Sequence, residues 1–286
     1  IRTPSSHRSW FQQSSISSAS GSPTSTSPLA VSTPAQPSCE DWPLTADCIP
    51  SDYDSHTIGN LRFGADGALY VATGDGASYA SVDVRALRAQ CIGQVSVNCP
   101  GNAARLAGKI LRVNPANGQG LPDNPFWTGV ATDTRSKIWA YGVRNAFRFT
   151  FKPGTNVMFS GDVGWDTYEE QNVVTGGENL GWPCYEGELA QPGYAAYPLC
   201  QALAPADVTF ALYTYGHPPG AAVVGGAFTG VNGYSSQYQN TYFFGDYARN
   251  EISTLQVDGS NNLVPGSLKI FTSAADGPVQ LEVNPA

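Results

Sequence analysis

The chain contains three histidines, His7, His56 and His217. His56 lies in SDYDSHTIGNLRFG, just before a strand pattern and close to Asp52 and Asp54. An imidazole beside carboxylates titrates near neutral pH and can act as a general base. The same placement also suits a plain surface or capping histidine. His7 falls in a low-complexity stretch and His217 in the Gly/Pro loop YGHPPGAA. A polar pair, Arg144–Asn145, interrupts the otherwise apolar WAYGVRNAFRF. Arginine offers a planar fork to carboxylates, and asparagine offers both a donor and an acceptor. An arginine stacked on a neighbouring aromatic ring, with no ligand, explains the pair equally well. A third group, SGDVGWDTYEEQNVV, sets Asp162, Asp166, Glu169 and Glu170 around a glycine-containing turn. Calcium takes six to eight oxygens, backbone carbonyls included, from such turns. The segment is not an EF-hand loop.

These residues sit at the ends of a repeated unit: strand, glycine-containing turn, strand, Gly-Asp. It reads LRFGADGALYVATGD from Leu61 to Asp75 and FRFTFKPGTNVMFSGD from Phe147 to Asp162. A looser copy, NTYFFGD, runs from Asn240 to Asp246. β-Branched and aromatic residues alternate around Asp-Gly or Pro-Gly, which is a hairpin signature. The Gly-Asp steps at 74–75, 161–162 and 245–246 are about 85 residues apart. That period predicts an all-β, radial architecture, a β-propeller with a four-stranded blade or two blades in each period, with a flat sandwich as the alternative. The globular part would then hold about four to five blades. Only DVRALRAQ, residues 83–90, suggests a short helical turn.

Composition narrows the function classes. Only 13% of the 286 residues are charged, and the net charge is −8. A nucleic-acid binder needs a surplus of Lys and Arg on its phosphate-contacting face, so nucleic acid is not an expected partner. No apolar run approaches the roughly 20 residues of a membrane helix. No glycine-rich phosphate loop opens a helix, and neither G-x-S-x-G nor H-E-x-x-H occurs, so nucleotide, serine-hydrolase and zinc-protease readings lose their usual support. Six cysteines pair by proximity as Cys39–Cys48, Cys91–Cys99 and Cys184–Cys200. An even count without C-x-x-C predicts disulfides and a secreted or periplasmic setting.

Residues 1–38 form a Ser/Thr/Pro-rich arm whose composition cannot support a core. Such an arm can be a linker or an O-glycosylated stalk. It can also mediate self-association by adding to an open sheet edge. The globular part runs over 39–286.

Five segments, in order, carry a family resemblance: HTIGNLRFGADGALYVATGDGA, AGKILRVNPANGQGLPDNPFW, IWAYGVRNAFRF, DVGWDTYEEQNVVTGGENLGWPCYEG and YFFGDYARNEIS. Together they resemble the soluble quinoprotein glucose/sorbosone dehydrogenases. The resemblance implies a six-bladed β-propeller holding pyrroloquinoline quinone (PQQ) and calcium at its central mouth. It implies oxidation of a sugar or other alcohol, with an external electron acceptor. By the same match His56 is the catalytic base, and Arg144 and Asn145 contact the cofactor. Asp75 and Arg249 lie at or beside further cofactor contacts. Gly164 and Trp165 match the turn whose carbonyls bind calcium. Measured against the family, the first blade or two is missing and the chain ends where a final blade would start, so the propeller is expected to be incomplete. The same fold serves as a binding module in hedgehog-interacting-protein-like relatives, and a non-enzymatic secreted module is the alternative.

Overall fold

The computed structural model describes residues 39, 47–50, 55–93, 99, 106–218, 220–232 and 234–283. All of them belong to the compact unit Pro37–Ala286. The arm over 1–38 lies outside the described residues.

Three four-stranded antiparallel sheets form among the described residues. The first contains β1 (Ile58–Phe63), β2 (Leu69–Thr73), β3 (Lys109–Val113) and β4 (Ile138–Tyr141), in that order. The second contains β5 (Ala146–Phe151), β6 (Met158–Asp162) and β7 (Tyr168–Val174). A small hairpin, β8 (Tyr185–Glu186) with β9 (Leu189–Ala190), intervenes before β10 (Tyr213–Gly216) completes the second sheet beside β7. The third sheet runs β11 (Val223–Phe228), β12 (Thr241–Asp246), β13 (Glu251–Gln256) and β14 (Lys269–Thr272).

The repeated sequence units are the first hairpin of each sheet. Gly64 and Ala68 close the β1–β2 turn, where the Asp66 carboxylate accepts the Ala68 N–H at 3.1 Å. Lys152 and Val157 close the β5–β6 turn around Pro153-Gly154. Leu61–Asp75 and Phe147–Asp162 are therefore equivalent hairpins in different blades, as the sequence predicts.

The sheets pack face to face, with first strands adjacent: β1 lies on β5, and β5 on β11. Each first strand carries a register shift near its start, between Ile58 and Asn60, Ala146 and Arg148, and Val223 and Gly225. Such bulges bend a strand and increase its twist, which suits strands crowding an axis. Glycine permits the crowding. A Cβ on Gly59 would lie 2.0 Å from the Ala146 carbonyl oxygen, and one on Gly225 2.2 Å from that of Arg148.

The middle sheet is apolar on both sides, as a blade between two others must be. Neighbouring residues on β6 point to opposite faces. Met158 joins Tyr70, Ile110 and Phe149 between the first two sheets, whereas Phe159 joins Tyr242, Phe244 and Leu255 between the second and third.

The all-β propeller class matches the sequence expectation. The blade number does not: among the described residues three four-stranded sheets stand where about four to five blades were expected. Among those residues each 85-residue period holds one such sheet plus an insertion. One insertion carries a 3-10 helix at Val84–Gln90, the turn anticipated at 83–90. The other carries β8–β9 and a short helix, α1 (Pro198–Ala202). All three expected disulfides are present, Cys39–Cys48, Cys91–Cys99 and Cys184–Cys200. Among the described residues no helix is long and apolar enough to cross a membrane.

Candidate active site

The three Gly-Asp steps place one buried aspartate at the end of each second strand, where it ties down the chain entering the first strand of the same blade. Asp162 accepts the backbone N–H groups of Arg144 at 3.0 Å and Asn145 at 2.5 Å, just before β5. Asp246 accepts the Ala222 N–H at 3.2 Å, just before β11. In the first blade the carboxylate takes a side chain instead: Asp75 Oδ1 lies 2.9 Å from His56 Nδ1.

Asp75 is 1% exposed and saturated with partners. Its Oδ1 also accepts the Ala77 N–H at 3.0 Å, and its Oδ2 accepts Trp182 Nε1–H at 2.8 Å. Asp75 therefore stands behind His56 as a positioning group; the resemblance had put it at a cofactor contact. His56 holds a left-handed backbone conformation, φ 56°. That conformation is uncommon for a residue with a side chain, and such strain persists where surrounding contacts over-determine it. The Gly74 N–H to Thr57 carbonyl and Gly76 N–H to His56 carbonyl bonds supply that frame. The ring's Nε2 has no hydrogen-bond partner among the described residues. A carboxylate on Nδ1 favours the Nδ1–H tautomer, which leaves Nε2 as the proton acceptor.

Trp182 connects His56 to Arg144. Its indole donates to Asp75, and the Arg144 guanidinium carbon lies 5.3 Å from the centre of its rings. Arg144 Nη1 donates to the carbonyls of Val163 at 2.9 Å and Gly164 at 2.7 Å. No carboxylate among the described residues forms an ion pair with this guanidinium, and its buried Nε lacks a partner. His56, Asp75, Arg144 and Gly164 thus form one continuous chain of contacts. Trp165, next to Gly164, packs edge-on against Trp182 with centroids 6.3 Å apart.

Asn145 borders a largely apolar cavity of about 270 Å³, shared with Phe147, Val163 and Val223. Arg249 lies elsewhere: its guanidinium covers the Tyr215 ring at 4.8 Å and donates to the Gly216 carbonyl.

Burial dominates the electrostatics beneath the site. It pushes the Asp162 carboxyl up to about 7, with the Asp75 charge adding to the rise and hydrogen bonds from Arg144 and Asn145 opposing it. Glu170, opposite Asp162 on β7, is pushed up to about 8 by burial and by Asp162.

Sequence reasoning missed several residues that hold this site. Glu186 Oε1 accepts four consecutive backbone N–H groups, those of Trp165 at 2.7 Å, Asp166 at 3.1 Å, Thr167 at 3.0 Å and Tyr168 at 3.1 Å. It fixes the turn after Gly164. Trp182 was also missed, and so was the pairing of Glu169 with His217, each of which the sequence had marked separately. Trp182 sits in GENLGWPCYEG, within a segment that carries the resemblance, but nothing local marks its indole as a partner of Asp75.

The glucose/sorbosone dehydrogenase family model matches residues 33–273. The chain belongs to that family. It is 29% identical over 260 residues to the HIPL2 protein of Arabidopsis thaliana, covering 82% of this chain and 34% of that protein. Among solved structures, the PQQ-bound aldose sugar dehydrogenase of Streptomyces coelicolor aligns with a TM-score of 0.54 at 21% identity, over 78% of this chain and 51% of that one. A glucose dehydrogenase described as a putative oxidoreductase from Thermus thermophilus aligns with a TM-score of 0.59 at 23% identity, over 84% and 61%. The chain spans about a third of the HIPL2 protein. These likenesses establish a sugar-dehydrogenase-like propeller fold.

The residues fit PQQ, a planar aromatic carrying carboxylates: Arg144 has a buried, unpartnered Nε, and the cavity beside Asn145 is largely apolar. In this arrangement Arg144 engages one of the carbonyl oxygens expected to bind calcium, that of Gly164. Among the described residues no group of three or more His, Cys, Asp or Glu is placed to hold a metal.

Proposed function

We propose that this propeller oxidises a sugar or other alcohol at the His56–Arg144 site, with PQQ as the group that receives the hydride. The observation that carries the reading is the buried His56–Asp75 pair at 2.9 Å, linked through Trp182 to a guanidinium with a free donor. When bound, PQQ supplies the two-electron acceptor. Arg144 Nε and the Asn145 side chain would hold its anionic and carbonyl oxygens. His56 Nε2 would take the proton of the substrate hydroxyl as the C–H electron pair leaves with the hydride and the C=O bond forms. Asp75 then stabilises the imidazolium, as a buried carboxylate on Nδ1 does. No step here uses calcium. An external acceptor would reoxidise the cofactor, and the three disulfides suit a secreted or periplasmic location.

A second reading is a non-catalytic binding module. The engagement of the Gly164 carbonyl by Arg144, where a cofactor-bridging cation is expected, favours it. One experiment separates the two. PQQ is titrated into the purified protein with tryptophan fluorescence as the readout, and glucose-dependent reduction of an electron-accepting dye is then followed, with and without added calcium. Saturable quenching and dye reduction are expected. Absence of PQQ uptake under both conditions contradicts the oxidation reading.

A further inference from the structure

Two buried carboxylates and two buried neutral side chains share one face of the second sheet. In the β6–β7 pairing Ser160 lies opposite Asn172, and Asp162 lies opposite Glu170. Residues two apart on a strand point to the same face. Met158 and Val174, the next pair along, pack in the core between the first two sheets, so all four polar residues face the first sheet as well. Phe159 and Gln171 point the other way, towards Tyr242. Ser160 and Asn172 are 1% exposed, Asp162 3% and Glu170 9%.

The protein's own donors do not satisfy this cluster. Ser160 Oγ and Asn172 Oδ1 are buried without a hydrogen-bond partner. The Asn172 amide nitrogen donates to Glu170 Oε2 at 3.2 Å, which holds that side chain against the carboxylate. Glu170 Oε1 accepts the Gly187 N–H at 2.6 Å. The charges that bear on the pair are Asp75 and Arg144 on Asp162, and Glu186 on Glu170. Four carboxylates, Asp75, Asp162, Glu170 and Glu186, thus stand against one guanidinium. A buried polar atom without a partner points to strain, to catalysis, or to a water or ion at that place. Protons on Asp162 and Glu170 neutralise them when no ion is bound, but leave Ser160 Oγ and Asn172 Oδ1 unmatched. A cation meets all four residues at once.

Oxygen donors alone select a hard cation. Magnesium keeps several waters and demands near-octahedral geometry, whereas calcium accepts six to eight oxygens in irregular arrangements. The four side chains offer six oxygens between them. They lie in a core shared with Phe149 and Ile110, which favours the ion that needs fewer waters.

We propose that Ser160, Asp162, Glu170 and Asn172 form a calcium site inside the core between the first two blades. It is separate from the carbonyl turn at Gly164 and Trp165, and neutral oxygens make up half of its ligand residues. Because Asp162 also accepts the N–H groups of Arg144 and Asn145, the ion would tie the sheet to the loop that carries them.

The test uses protein stripped with a chelator and kept free of PQQ. Calcium is titrated by calorimetry into wild type, Glu170→Gln, Ser160→Ala and Asp166→Asn, and urea midpoints are measured with and without calcium. Wild type is expected to bind calcium with a Kd of about 100 μM or tighter and to gain stability from it. Magnesium at the same concentration should raise the midpoint less. Glu170→Gln, which loses a charged ligand, should bind at least about tenfold more weakly, and Ser160→Ala about three- to tenfold more weakly. Asp166→Asn, which alters an exposed carboxylate beside the Gly164 turn, should bind as wild type does. A wild-type protein with neither calcium heat nor a midpoint shift overturns the proposal and leaves water as the partner of the two orphaned oxygens. So does an affinity that Glu170→Gln and Ser160→Ala leave within about twofold of wild type, or a loss confined to Asp166→Asn. If Glu170→Gln does not fold, Ser160→Ala still decides.

Discussion

Asp75 is to His56 what Asp162 is to the backbone of Arg144 and Asn145: the same structural position, one buried carboxylate at the end of a second strand, used for a side chain in the first blade and for N–H groups in the second. The candidate base is therefore built into the repeat.

Replacing Asp75 with Asn should expose that dependence. The amide can still occupy the position, but it no longer favours the Nδ1–H tautomer or stabilises the imidazolium. Turnover is expected to fall by about 10²-fold or more, while PQQ affinity changes by less than about threefold. Steady-state dye reduction and fluorescence titration on the same preparation check both halves. Because Asp75 also holds Trp182, near-ultraviolet circular dichroism should confirm that the aromatic cluster survives.

Arg144 should act on binding. Its free Nε and delocalised charge are what an anionic cofactor would meet. Arg144→Gln is expected to weaken PQQ about 10- to 100-fold, the range of a lost charged hydrogen bond. A Kd within about twofold of wild type would remove Arg144 from the cofactor site.

The crowding of first strands predicts a steep difference between two glycines. Gly59→Ala must push the Ala146 carbonyl away from a contact of 2.0 Å, whereas an added methyl at Gly259 meets nothing within 4 Å. Urea unfolding should show a loss of about 2 kcal/mol or more for the first and less than about 0.5 kcal/mol for the second. Equal effects would mean that the strands can separate freely.

Stability should also depend on pH through Asp162 and Glu170. Burial raises both, to about 7 and about 8, above their ordinary values near 4. Between about pH 4 and pH 8 the folded protein then holds protons that the unfolded chain has released. Stability falls as pH rises through this window, by at most about 1.4 kcal/mol per pH unit for each group. Glu170→Gln removes one titrating group, so its urea midpoint should decline less steeply than that of wild type from pH 5 to pH 8. Parallel slopes would show that Glu170 is ionised throughout.

Much of the fold was legible because its signals are local. Alternation around Ala65-Asp66-Gly67 and Pro153-Gly154 marks hairpins, and each cysteine pair spans a short loop. The blade number was not legible, since length alone does not tell an insertion from a sheet: between β2 and β3 stand a 3-10 helix at Val84–Gln90 and the Cys91–Cys99 disulfide. His56 and Arg144 could be found because they sit in motifs that carry the family resemblance. Their supports could not. Trp182 meets Asp75 across 107 residues, and Glu169 meets His217 across 48. Each looks like an ordinary core or loop residue until the sheets bring it to its partner. Asp75 shows the same limit in reverse: the resemblance put it at or beside a cofactor contact, and in the fold its oxygens are bonded to His56, Ala77 and Trp182.

The central claim is that His56 removes a proton while a quinone held by Arg144 accepts the hydride. The most direct measurement is rapid mixing of glucose with PQQ-loaded protein, following quinone reduction by absorbance in wild type and His56→Asn. Wild type should reduce its quinone in a glucose-dependent phase, and His56→Asn should bind PQQ with similar affinity yet reduce it at least about 100-fold more slowly. Failure of the wild-type protein to take up PQQ, or equal reduction rates in the two proteins, would contradict the account.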